Sequence, residues 1–156
     1  MRRPLLRALA ALAVLAACTA PAGGPLVIVG ATLIDGTGKP PLKDAFIVIE
    51  GDRIQAVGHQ SRVPLPKGAR VFDARGKFIV PRLGSLTPAV AVQTLAERMR
   101  AGVAPVQAIA ELAAGRTIEP GRPADLLLLD RDPLLSPANL ASVGQVVSAG
   151  HLDPAR

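Results

Sequence analysis

Five short strand-forming runs, two helical stretches and two further apolar runs follow one another along this chain. A helical middle flanked by strand-formers requires the N- and C-terminal segments to meet in one sheet system, because each half alone leaves an apolar face uncovered. Leu26 to Ile34 is β-branched and almost wholly apolar, the pattern of a buried strand. Asp35-Gly36-Thr37-Gly38 ends it with residues that supply turn conformations, and Lys39-Pro40-Pro41 extends the loop. Asp44 to Glu50 and Arg53 to Val57 are strands on either side of Gly51-Asp52, a two-residue hairpin signal. Arg70 to Phe72 and Lys77 to Val80 flank the turn Asp73-Ala74-Arg75-Gly76, and the first half is expected to be a β-meander.

The periodicity then changes. Thr87 is placed to cap a helix with Pro88 at its first position, and Val92, Leu95 and Met99 fall on one face, before Gly102. A second helix is expected from Pro105, with Val106, Ile109 and Leu112 inward, ending at Gly115. Ala124 to Asp130 and Gln145 to Ala149 return to strand composition, and Asp132-Pro133 closes the first of them. At 156 residues the chain supports one core. With only Phe46, Phe72 and Phe78 as aromatics, that core is aliphatic.

Residues 1–17 have the order of a secretion signal: Arg2, Arg3 and Arg7, then an apolar stretch from Ala8 to Ala17. That stretch is shorter than the roughly 20 apolar residues a spanning helix needs. Leu15-Ala16-Ala17-Cys18 resembles a bacterial lipobox, so Cys18, the single cysteine, is the expected lipidation site and the membrane the expected partner. The expected location is the periplasmic side of the envelope, the outer membrane being favoured by Thr19 in place of Asp. Residues 18–25 form a flexible tether in this reading. Removing the signal leaves 15 basic residues against 12 acidic ones, so the net charge falls from +6 to +3. The basic run Arg62, Lys67, Arg70, Arg75, Lys77 and Arg82 has no interleaved aromatics to stack on bases, and nucleic acid is not an expected partner.

Four blocks carry a resemblance: GATLIDGTGKP (30–40), DAFIVIEGDRIQAVG (44–58), ARVFDARGKFIVP (69–81) and IEPGRPADLLLLDRDPL (118–134). Together, in this order, they resemble the metal-dependent amidohydrolases of the imidazolonepropionase and dihydroorotase type. The resemblance implies a composite β-sandwich built from both chain ends, making the fold mainly β with two helices, α+β. In it Asp35, Gly36, Gly51, Asp73, Gly76, Pro81, Pro120, Gly121, Ala124 and Asp125 are structural motif residues. The resemblance also implies a catalytic (β/α)₈ barrel between the two halves, opening after Pro81 with a His-X-His metal pair. The chain instead runs Arg82-Leu83-Gly84-Ser85-Leu86 into Thr87-Pro88. A barrel of about 250 residues is missing from this join. The expected organisation is thus a sandwich over 26–150, a helical insert over 86–115 and a tail over 151–156.

Family members use zinc or another divalent metal, and a water-activating site needs at least three protein ligands. This chain has two histidines, His59 and His151, both expected in exposed loops. Asp125, Asp130 and Asp132 cluster in sequence, yet each has a turn or strand-end duty, and neither Ser136 nor Ser142 has a histidine at triad spacing. No catalytic residue, metal ligand or cofactor is therefore expected. The family activity is hydrolysis of non-peptide C–N bonds, and this chain is expected to be an inactive, lipid-anchored member on its own. Two alternatives stand: a non-enzymatic envelope module whose partner covers the former barrel-facing surface at Ile79, Leu83, Leu86 and the helices, or one part of a split enzyme.

Overall fold

The computed structural model describes residues 23–59 and 64–155; the signal, lipidation and most of the tether expectation lie outside them. Eight strands form one sheet: β1 Leu26–Leu33, β2 Leu42–Glu50, β3 Arg53–His59, β4 Arg70–Asp73, β5 Phe78–Pro81, β6 Leu126–Leu129, β7 Val143–Ser148 and β8 His151–Pro154. Their order is β3-β2-β1-β5-β6-β7-β8, with β4 also paired to β1. Two helices, α1 Pro88–Arg100 and α2 Pro105–Ala113, separate β5 from β6. A 3₁₀ turn at Pro137–Ala141 precedes β7.

The first half is not a meander. β1, β2 and β3 are antiparallel neighbours, but β4 returns parallel to β1 along Leu26–Val29. β5 then continues parallel at Thr32–Leu33. β4 thus lies beside β1 and not beside β3. β1 is therefore central, which explains its unbroken apolar run: Val27, Ile28 and Ala31 are all fully buried.

β5 pairs antiparallel with β6, Ile79 opposite Leu128 and Pro81 opposite Leu126. This pairing joins the two halves of the chain. The sheet curls around a core drawn from both, with Ile28, Ile47 and Ile54 from the first half against Leu126, Leu128 and Val147 from the second. On the other face of β5 and β6, Val80 and Leu129 pack under Leu95, Ile109 and Leu112 of the helices. The alternation of Leu126 to Leu129 thus serves two cores, which is why no polar residue interrupts the run.

Both helices begin as their residues dictate. The Thr87 Oγ1 accepts from the Val90 N–H at 3.4 Å, with Pro88 at the first position. Arg98 and Arg100 occupy the last turn of α1, where cations favour the helix dipole. α2 ends at Ala114 in a left-handed conformation, φ 51°, one residue before Gly115. The Arg98 Nε to Glu111 Oε2 ion pair, 3.0 Å, ties α1 to α2 across their exposed sides.

One boundary is corrected. Residues 151–154 are not a tail but β8, paired with β7 through Val147–Leu152 and Ser148–His151. His-Leu-Asp-Pro has a single apolar side chain, and its strand state is set by the Ala149-Gly150 turn, where both residues have positive φ. His151 accordingly sits on a strand rather than in a loop, with its side chain exposed.

Candidate functional site

The connection from Pro81 to Pro88 joins β5 to α1. Pro81 is buried at the end of β5. Arg82 follows with its N–H donating to the Asp125 carbonyl at 3.2 Å. Gly84 takes φ 54° and donates to the Arg82 carbonyl, and Leu86 donates back to Leu83, so the six residues form two compact turns. Leu83 turns inward under the helices, while Leu86 stays exposed beside Val90. Of the apolar surface expected to face a partner, Ile79, Leu83 and the inner helix faces are covered by the chain itself. Leu86 is not.

The motif residues gather at the seams between the two halves. Asp35 Oδ1 accepts from both the N–H (2.8 Å) and the hydroxyl (2.6 Å) of Thr37, and its carbonyl accepts from the Ile118 N–H. Gly36 is pressed between two segments of the chain: a Cβ there would sit 2.6 Å from the Arg116 carbonyl and 2.8 Å from Pro81 Cγ, and its φ is 80°. Gly51 and Asp52 form the β2–β3 turn, and the Asp52 carbonyl accepts from the Ala124 N–H at 2.7 Å. Pro120 and Gly121 lead the segment 121–124 onto β3, where Gly121 donates to the Ile54 carbonyl at 2.7 Å. Asp125 uses Oδ1 to accept from the Ala149 N–H at 3.1 Å. Each of these groups is engaged in holding backbone.

Asp73 and Gly76 shape the β4–β5 turn. The Arg75 guanidinium and N–H both donate to the Asp73 carboxylate, and these hydrogen bonds, the side-chain ones first, lower its pKa to about 2. The same contact raises the pKa of Arg75. Both side chains are exposed, so this is a turn clasp at the surface and not a poised acid. Lys77 pairs with Asp130 at 2.6 Å across β5 and β6. Asp132 accepts from the Leu134 N–H, Ser142 from the Arg131 N–H, and Ser142 donates to the Asn139 carbonyl. The sequence cluster of Asp125, Asp130 and Asp132 is thus divided among three structural duties.

A catalytic divalent metal requires three or more converging ligands. Among the described residues no group of three or more His, Cys, Asp or Glu can hold a metal ion. His59 ends β3 and His151 begins β8. The described residues do not fit such a metal. Nor is any helix among the described residues long and apolar enough to cross a membrane.

What sequence reasoning missed is a cleft of about 330 Å³ at the same connection, lined by Arg82, Leu86, Ala91, Leu127, Leu140 and Val146 among others. Its walls come from α1, β6, β7 and the 3₁₀ turn. No local pattern announces it, since it exists only where these elements approach.

No family model matches the chain. It is 42% identical over 62 residues to the N-acyl-D-aspartate deacylase of Alcaligenes xylosoxydans xylosoxydans, a match covering 40% of this chain and 12% of that protein. The chain thus spans a small part of the length of the curated relative it matches. Among solved structures, molinate hydrolase matches at TM-score 0.35 with 25% identity over 62% of this chain and 28% of the other. A D-aminoacylase matches at TM-score 0.30 with 38% identity over 36% and 11%. The D-hydantoinase of Thermus sp. matches at TM-score 0.29 with 32% identity, again over 36% and 11%.

Proposed function

This chain is similar to the amidohydrolase superfamily over part of its length, and from that premise we propose that it is a composite sandwich of that family lacking the catalytic barrel. On its own it hydrolyses no C–N bond and holds no cofactor. One observation carries this reading: Pro81, after which the barrel would begin, pairs directly with Leu126 across two helices and short turns. The connection Arg82–Asp125 contains α1 and α2, and among its described residues neither a histidine nor a cysteine occurs.

The chemistry agrees. Water activation by a metal needs an open coordination position beside several fixed ligands, and here the described carboxylates are spread over turns, strands and both helices without converging. Metal-free general acid-base hydrolysis would need two groups facing one substrate atom. Asp125, Asp130 and Asp132 are each occupied with backbone or with Lys77.

The lipobox-like Leu15 to Cys18 supports anchoring of this domain to a membrane on the periplasmic side. The chain would then enter the fold at Gly23 through the tether. A palmitate-labelling experiment tests the anchor: label on the wild type and none on Cys18→Ala is the expected outcome.

The activity reading is tested with the purified chain, assayed with added zinc on N-acyl-D-amino acids and on cyclic amides. No turnover is expected for either. Zinc-dependent turnover by this chain alone overturns the reading. Turnover appearing only when a second polypeptide bearing a His-X-His pair is added would convert it to one part of a split enzyme.

A further inference from the structure

The cleft at the β5–α1 connection has a sharp division of character. Most of its lining is hydrocarbon, Leu127 from β6, Val143 and Val146 from β7, Leu140 from the 3₁₀ turn and Ala91 from α1, and Ser85 adds a hydroxyl. Arg82 lines it as well, and among the described residues it pairs with no carboxylate. The nearest acid in the connection, Asp125, offers its carbonyl to the Arg82 N–H and its carboxylate to Ala149.

A concave apolar site with a few convergent polar groups suits a small molecule. Its volume, about 330 Å³, falls in the size range of such sites. An apolar floor excludes a ligand that is charged throughout, since burying an unpaired charge is costly. An unpaired arginine in the lining disfavours an amine. What remains is an amphipathic anion, hydrocarbon inward and charge outward.

We propose that this cleft binds a free aliphatic monocarboxylate of about six to eight carbons, each buried methylene contributing in proportion to the area it hides. Its tail lies against Leu127 and Val146 and its carboxylate faces Arg82. The inference is independent of the proposed function, because it uses neither a metal nor a hydrolytic group.

The test uses the full chain with three probes: octanoate, octylammonium with the same tail and opposite charge, and acetate with the charge and no tail. Octanoate is expected to raise the melting temperature and to shift the methyl resonances of Leu127 and Val146 saturably, while the other two do neither. Arg82→Gln and Leu86→Asp, both at exposed positions, are expected to weaken octanoate by about fivefold, the scale of a solvent-exposed ion pair, without changing the melt of the free protein. Equal binding of octylammonium, octanoate shifts confined to other methyls, unchanged affinity in both variants, or no saturation below the micellar range would each overturn the proposal.

Discussion

Ile54 and Gly121 are joined by a 2.7 Å hydrogen bond from the Gly121 N–H to the Ile54 carbonyl, while the Ile54 N–H donates to Arg122 at 2.9 Å. This pair stitches the β2–β3 hairpin of the first half to the segment that leads into β6. With the β5–β6 ladder it closes the curled sheet around Ile54 itself, which is fully buried. The closure is what lets segments from both ends act as one unfolding unit.

Glycine substitutions distinguish backbone conformation from crowding. Gly76 has φ 78° with open space around a Cβ, whereas Gly36 has φ 80° and would place its Cβ against the Arg116 carbonyl and Pro81. Gly76→Ala is expected to cost about 1–2 kcal/mol, from the left-handed conformation alone. Gly36→Ala is expected to cost clearly more, since backbone must also move. Urea unfolding of both variants gives the comparison; equal losses would show that the crowding at Gly36 is relieved cheaply.

The helical layer is predicted to be an integral part of the core. Leu95 is fully buried between α1 and the sheet, while Leu135 is 81% exposed. Leu95→Ala is expected to lose about 2–5 kcal/mol and Leu135→Ala less than about 0.5 kcal/mol. A small loss at Leu95 would mean that the helices are only loosely held on the sheet.

Gln145 stands opposite Leu128 in β7, on the side of the strand shared with buried Val147, and its Oε1 is buried without a hydrogen-bond partner among the described residues. Replacing it by Met removes a desolvated acceptor from an otherwise aliphatic core. A gain of about 1 kcal/mol is expected, read as a higher urea midpoint at unchanged slope. A loss would show that the amide is satisfied in solution.

Asp73 supplies the pH dependence. Its folded pKa, about 2, lies below the ordinary carboxylate value of 3.8 because the Arg75 side chain and N–H donate to it. A depressed folded pKa contributes stability that is present above the unfolded value and is lost as pH falls from about 4 toward 2. The Asp73 carboxyl carbon, followed by NMR, is expected to titrate near pH 2. Asp73→Asn should flatten the stability profile across that window. Titration near 4 would place the Arg75 clasp open in solution.

Much of this was written locally. The β-branched run at Leu26 to Leu33, the Gly51-Asp52 hairpin and the Thr87-Pro88 helix start are short-range signals, and each element forms at those residues. The parallel return of β4 onto β1 was not legible, because Arg-Val-Phe-Asp suits either neighbour and the choice is made by contacts remote in sequence. β8 was hidden for a different reason: its strand state comes from pairing to β7 across a positive-φ turn, not from its own composition. At the connection, the run Arg82-Leu83-Gly84, which holds no histidine, could be read directly. The cleft beside it could not, since Leu127, Leu140 and Val146 meet Leu86 only after folding.

The most direct test of the central claim is a metal count. The purified chain is loaded with excess zinc, exchanged into metal-free buffer and analysed by mass spectrometry of the element. The account predicts far less than one zinc per chain, with a melting temperature unchanged by zinc. Retention of one or more ions per folded chain, with a zinc-dependent rise in melting temperature, would contradict it.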